Sequence, residues 1–125
     1  MDLSHTPYLI YAPGTPEAKT HQLKFGVNTI GRGMDNSIVL IDESLSRQHA
    51  EITLAQDGVT ITDRNSLNGT FVNESRINHS KLKHGDLIYF GKVICQFVEG
   101  IAHPKAQLFQ NSTDSEISIL KQVSP

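Results

Sequence analysis

Four side chains in this sequence are suited to gripping a small anion: the guanidinium groups of Arg32 and Arg47, the hydroxyl of Ser46 and the carboxamide of Asn68. They fall in three polar stretches, IGRG (Ile30 to Gly33), DESLSRQH (Asp42 to His49) and DRNSLNGT (Asp63 to Thr70). Guanidinium groups match phosphate oxygens two at a time. A hydroxyl and nearby backbone N–H groups can complete such a cradle. A carboxamide both donates and accepts, which suits an extended peptide backbone. Taken singly, each residue has a plainer explanation. Arg32 reads as a solvated charge beside a turn, Ser46 and Arg47 as a turn hydroxyl and a surface charge, and Asn68-Gly69 as a tight-turn signal. If the three stretches meet at one end of a scaffold, they form a donor-rich concavity with two fixed positive charges. That chemistry fits a phosphate monoester presented on a peptide.

The same stretch offers an enzymatic alternative, with Ser46 as nucleophile and His49 as base. Against it, the chain has no Gly-x-Ser-x-Gly elbow and no evident third group to orient the imidazole. His5, His21, His49, His79, His84 and His103 show no metal-ligand spacing. The expectation is a binding protein with no catalysis, metal or cofactor, in which His49 is a hydrogen-bonded structural residue.

The elements that must position these stretches read as short strands. YLIYA (Tyr8 to Ala12), THQLKF, VNTIGR, NSIVL, QHAEITLA, GVTITD, GTFV, DLIYFG and VICQFV are rich in Val, Ile, Thr, Tyr and Phe. Ala50, Ile52 and Leu54 alternate with Glu51 and Thr53, and Val59 and Ile61 repeat the pattern, which puts each set on one buried face. Turn signals separate the runs at PGTPE, QDG, LNG, KHGD and GK. No helical period of useful length precedes residue 100, so the class is all-β, a sandwich or barrel. All three polar stretches fall between strands, where loops on a rigid scaffold carry function. From Gly100 the text turns polar, and residues 100–125 read as a flexible tail or linker, with EISILKQ open between a short strand and a short helix.

At 125 residues the chain fits one domain, expected over 1–99 with its core at 20–98 and a first strand near 8–12. The formal net charge of −2 supplies no global positive field, so nucleic acid and anionic membranes are not expected partners. There is no basic stripe with interleaved aromatics. No run approaches 18 apolar residues, and the first ten residues lack the pattern of a secretion signal. The single cysteine, Cys95, excludes an intrachain disulfide and reads as a buried small hydrophobe in VICQFV. A cytoplasmic setting follows as the default.

The order and spacing of Gly31-Arg32, Ser46-Arg47-x-His49 and Asn68-Gly69-Thr70-x-x-Asn73 resemble the signature of the forkhead-associated (FHA) domain family. VNTIGR, NSIVLIDESLSRQHAEI, ITDRNSLNGTFVN and LKHGDLIYFG resemble FHA segments over about residues 20–98. The resemblance implies a β-sandwich of about eleven short strands in two sheets, with a phosphothreonine-peptide surface on the loops at one end. It implies that Arg32 contacts the phosphate or the adjacent peptide backbone, that Ser46 and Arg47 donate to the phosphate, and that Asn68 holds the backbone after the phosphothreonine. Gly31 and Gly69 would permit the loop geometry, His49 would brace the loop from below, and Thr70 and Asn73 would be turn and packing residues. Leu67 departs from the family, which often places a small hydroxyl residue there; leucine cannot donate to phosphate, which would either weaken the phosphate contact or set an apolar wall beside the threonine methyl. Ser44 falls where the family tunes preference for a later peptide residue.

The expected partner is a threonine-phosphorylated protein or peptide in intracellular signalling. Thr6, Thr15 and Thr113 add an expectation of phosphorylation-dependent self-association through the chain's own tails. Two alternatives stand beside this reading: a phosphate-independent interaction module using its sheet faces, and a regulatory domain of a larger protein such as a kinase, cyclase or secretion component.

Overall fold

Alternation of apolar and polar residues makes the strands, and burial of the apolar rows on one side of each sheet makes the sandwich. The structure, a computed structural model, describes residues 6–100. It contains β1 (Tyr8–Tyr11), β2 (Lys19–Gln22), β3 (Gly26–Gly31), β4 (Ile38–Val39), β5 (Ala50–Ala55), β6 (Gly58–Asp63), β7 (Thr70–Val72), β8 (Ser75–Ile77), β9 (His79–Lys81), β10 (Leu87–Phe90) and β11 (Val93–Val98). These eleven strands form a six-stranded sheet, in the order β2-β1-β11-β10-β7-β8, and a five-stranded sheet, in the order β4-β3-β5-β6-β9. The pairings are antiparallel except for β3 with β4, which is parallel. Thr113, EISILKQ and the tail assigned from residue 100 lie, apart from Gly100, outside the described residues.

One core joins the two layers. Leu9, Ile88, Phe90, Cys95 and Phe97 from the six-stranded sheet meet Ile30, Ile52, Leu54 and Ile61 from the five-stranded sheet in a single cluster. Each large aliphatic or aromatic side chain buried there contributes about 1.5–3 kcal/mol relative to exposure. β1 lies between β2 and β11, and Leu9 is fully buried, so the N-terminal strand is integral to the core. Burial pushes the Cys95 thiol up to about 12, which keeps it protonated and unreactive. Asn28 is buried too, yet its amide donates to the carbonyls of Lys24, Gly26 and Ile52 while its Oδ1 accepts from the Lys24 amide. Those bonds fix the turn that leads into β3.

Register decides where the loops emerge. Ile30 pairs with Ala50, and Ala50 with Asp63, so the end of β3, the start of β5 and the end of β6 share one level. In the other sheet Thr70 pairs with Phe90, and Phe90 with Val93. The loops after β3, before β5 and between β6 and β7 therefore open at the same end as the β10–β11 turn. The sequence runs did not single out β8 and β9. Both strands are three residues long and largely exposed, so neither carries an apolar row to be read.

Candidate functional site

Backbone hydrogen bonds lock the loops after β3 and before β5 to each other. The Arg32 amide donates to the Ser46 carbonyl at 3.0 Å, and the Gly33 amide donates to the Arg47 carbonyl at 3.0 Å. Asn36 adds its side-chain amide to the carbonyls of Gly33 and Arg47, both at 2.7 Å. The approach is so close that a Cβ at Gly31 would collide with the Arg47 carbonyl oxygen. Glycine at position 31 is thus a requirement of backbone proximity. Arg32 is half-buried, and its Nε donates to the Leu45 carbonyl at 3.1 Å, which aims the guanidinium across the neighbouring loop. Arg47 has its carbonyl pinned and its side chain exposed.

The third loop joins the first two through side chains. The Leu67 amide donates to Ser46 Oγ at 3.0 Å, and Asn68 Nδ2 donates to the Ser44 carbonyl at 2.9 Å. Arg32, Ser46, Arg47 and Asn68 are thereby brought to one end of the sandwich on loops in direct contact. Leu67 is 84% exposed, so an apolar side chain projects beside Ser46.

His49 braces this assembly from beneath. It is fully buried, packed edge-on against Phe90 with ring centroids 5.8 Å apart. The Ser46 amide donates to Nδ1 at 3.0 Å, so Nδ1 is bare and Nε2 carries the proton, which it donates to the Gly69 carbonyl at 2.9 Å. One neutral ring therefore ties the loop before β5 to the loop before β7. Burial holds the imidazole below the usual histidine range, against the opposing pull of the Gly69 carbonyl and Asp63. This geometry dismantles the enzymatic pairing. Imidazole Nδ1 meets the Ser46 amide, Nε2 meets Gly69, and the Ser46 hydroxyl accepts from Leu67. Arg47 and His49, two residues apart, do not share a face: one is exposed and the other buried, in an irregular segment ahead of β5.

Other expected residues are placed differently from one another. Ser44 is buried, and its hydroxyl donates to Asp42 at 2.7 Å and accepts from the Lys92 amide at 2.9 Å. Its hydroxyl is committed to the Asp42 turn, and it reaches the site through the carbonyl that orients Asn68. The Ser44 hydroxyl and amide in turn hold the Asp42 carboxyl below its usual range. Gly69 adopts φ +92, a left-handed conformation that favours glycine. Thr70 is fully buried, whereas Asn73 sits at the far end of β7, where its side chain joins Asp86 and the Leu87 amide.

Sequence reasoning missed the hub that orders the third loop. Asp63 accepts from the Ser66 hydroxyl at 2.6 Å, the Ser66 amide at 3.1 Å and the Thr70 hydroxyl at 2.6 Å. Ser66 Oγ then accepts from the Gly69 amide at 3.0 Å. Burial pushes the Asp63 carboxyl up, but the Ser66 and Thr70 hydroxyls and the Ser66 amide outweigh it and hold the group below its usual range. The spacing Asp63-x-x-Ser66 ahead of Asn68-Gly69 is a local side-chain-to-backbone turn signal that could have revealed it. Among the described residues no cluster of three or more His, Cys, Asp or Glu could hold a metal ion, and no helix is long and apolar enough to cross a membrane.

Fold and loops together define a β-sandwich binding module that presents hydrogen-bond donors and cations at one end. The model of the FHA domain matches residues 28–91, and the chain belongs to the FHA domain family. The ABC transporter ATP-binding/permease protein Rv1747 of Mycobacterium tuberculosis is 38% identical over 85 residues, 68% of this chain and 10% of that protein. The FHA domain-containing protein FhaA of the same organism is 41% identical over 73 residues, 58% of this chain and 14% of that protein. The crystal structure of the FhaA FHA domain complexed with the intracellular domain of Rv3910 matches at TM-score 0.69 and 35% identity, covering 74% of this chain and 99% of that one. A structure from work on phosphothreonine-dependent FHA domain interactions matches at TM-score 0.70 and 34% identity, covering 74% of this chain and 95% of that one. The chain thus spans a small part of the two curated relatives and nearly the whole of these two solved domains.

Proposed function

We propose that this domain binds threonine-phosphorylated protein or peptide segments, as a non-catalytic module of cytoplasmic signalling. The observation that carries the reading is the hydrogen-bonded convergence of three loops, which gathers Arg32, Ser46, Arg47 and Asn68 at one end of the sandwich. Arg32 and Arg47 supply the charges for a phosphate of about −1.5 to −2. Ser46 supplies a hydroxyl donor. Asn68 keeps its Oδ1 free of hydrogen bonds among the described residues, ready for a peptide N–H. Leu67 gives the threonine methyl an apolar neighbour. Kinship with a solved phosphothreonine-dependent domain supports the same assignment.

Isothermal calorimetry tests it with three versions of one peptide. The phosphothreonine form is expected to bind and the unphosphorylated form not to. The phosphoserine form should bind more weakly by at least one buried methyl, about 0.8 kcal/mol or fourfold. Equal affinity for phosphorylated and unphosphorylated forms overturns the proposal. That result would favour the phosphate-independent reading, for which the structure offers a groove of about 310 Å³ on the outside of the six-stranded sheet, lined by Phe71, Asn73, Glu74, Tyr89 and Gly91. Self-association is part of the proposal through Thr15, which is exposed and caps its own turn with a 2.7 Å bond to the Ala12 carbonyl. Thr6 is buried, and Thr113 lies outside the described residues. A phosphorylated peptide spanning Thr15 belongs in the same calorimetric set. A role as the regulatory domain of a larger kinase, cyclase or secretion component accords with the far greater length of the curated relatives named above.

A further inference from the structure

Asn68 precedes Gly69, and no other asparagine in the chain precedes a glycine. That pair is open to a reaction of its own. Glycine has no side chain to shield its backbone nitrogen from the carboxamide carbon beside it. When the Gly69 nitrogen attacks Asn68 Cγ, its proton passes to water and the carboxamide nitrogen leaves as ammonia. The cyclic imide that forms takes up one water. It opens at one carbonyl to aspartate, or at the other to the isomer whose main chain runs through the side-chain carbon. Asn68 is exposed, so water reaches it.

The fold holds both reacting groups back. The Gly69 N–H, which must be lost for attack, donates to Ser66 Oγ at 3.0 Å, and Ser66 is anchored in turn to Asp63 at 2.6 Å. The Gly69 carbonyl accepts from His49 at 2.9 Å and from the Gly91 amide at 3.1 Å. Gly69 is also walled in: a Cβ built there would lie 2.9 Å from Arg76 Nε and 3.2 Å from Phe71 Cε1. The leaving group is engaged as well, since Asn68 Nδ2 donates to the Ser44 carbonyl at 2.9 Å. Attack therefore needs these bonds to part, so the rate follows the fraction of time the loop is locally open.

We propose that Asn68 is a site of spontaneous deamidation, guarded by Ser66, and that its conversion to an acid switches off phosphopeptide binding. The switch rests on the phosphothreonine reading; the modification does not. A carboxylate has no N–H to give the Ser44 carbonyl, and it sets a negative charge beside a near-dianionic phosphate. The isomer adds a main-chain atom ahead of Gly69 and draws that residue away from its partners. A bound peptide favours the closed loop, so an occupied domain is modified more slowly than an empty one.

Timed peptide mapping by mass spectrometry tests it, on the full chain kept in mildly alkaline buffer, with and without denaturing urea. The mass gain of amide to acid should appear at Asn68 in both, about a hundredfold more slowly in the folded chain. Ser66→Ala, with its fold checked by a melting curve, should be modified about tenfold faster than the folded wild type. The modified form carries an extra negative charge and separates from its parent by ion exchange. It should bind a phosphothreonine peptide at least about tenfold more weakly than the parent. The proposal is overturned if the folded chain is never modified at Asn68, if folded and unfolded chains react equally fast, or if a folded Ser66→Ala variant reacts no faster. Equal affinity of modified and parent forms overturns the switch. Should the variant fail to fold, the wild-type comparison with urea decides. A parent that binds no phosphopeptide sinks the underlying reading, while the mass comparison still decides the modification.

Discussion

Arg32→Ala is expected to abolish measurable phosphopeptide binding in a domain that still folds. Two contributions separate cleanly at this residue. The folded state loses the Nε bond to the Leu45 carbonyl, one hydrogen bond at a half-buried position, for about 0.5–1.5 kcal/mol. The bound state loses a guanidinium facing a near-dianionic group. Truncating one partner of such a charged pair typically costs about 2–5 kcal/mol, roughly 30-fold to several thousand-fold in affinity. The backbone bonds from the Arg32 amide to Ser46 and from Gly33 to Arg47 do not involve the side chain, so the loops stay joined. Circular dichroism and a melting curve report the first effect, and calorimetry with a phosphothreonine peptide reports the second. Wild-type affinity in the alanine variant would remove Arg32 from the site.

His49→Ala should behave oppositely, with stability falling first and binding falling as a consequence. Deleting the ring leaves a cavity against Phe90, strips the Ser46 amide of its partner and takes one of two donors from the Gly69 carbonyl. A buried unsatisfied group costs about 1–3 kcal/mol, and a large-to-small change in a core adds a similar amount. A loss of about 3 kcal/mol corresponds to a melting point lower by more than 10 °C in a domain of this size. The ring also carries a pH signature. Because burial lowers its folded pKa, the unfolded chain takes up the proton more readily. His49 therefore contributes its full stabilisation above the ordinary histidine range, near 6.5, and loses it progressively as pH falls from there toward the lower folded value. Protonation would also direct an N–H at the Ser46 amide. Urea unfolding at pH 7.5 and 5.5 should show a larger acid loss for the wild type than for His49→Ala. Binding lost with an unchanged melting point would instead make His49 a ligand contact.

Much of this was legible in the chain because it is written locally. Alternation in Ala50–Ala55 and Gly58–Asp63 gave both strands and their buried faces. The polar stretches holding Arg32, Ser46, Arg47 and Asn68 stood out because they interrupt apolar runs at turn signals. What stayed hidden depends on neighbours distant in sequence. Ser44 reads as a loop serine until Lys92, 48 positions away, donates to its hydroxyl. Arg76 carries no mark in the sequence, and only the β7–β8 register brings its side chain over Gly69. β8 and β9 escaped because their stability comes from pairing at sheet edges, which leaves no hydrophobic period in SRI or HSK.

The claim beneath all of these expectations is that three loops act as one surface for a phosphorylated threonine. Backbone amide NMR during titration with a phosphothreonine peptide tests it most directly. Binding at that surface predicts joint, saturating shifts at Gly31 to Asn36, Ser44 to His49 and Ser66 to Gly69, absent with the unphosphorylated peptide. Shifts confined to the outer strands, with those three segments unmoved, would contradict it.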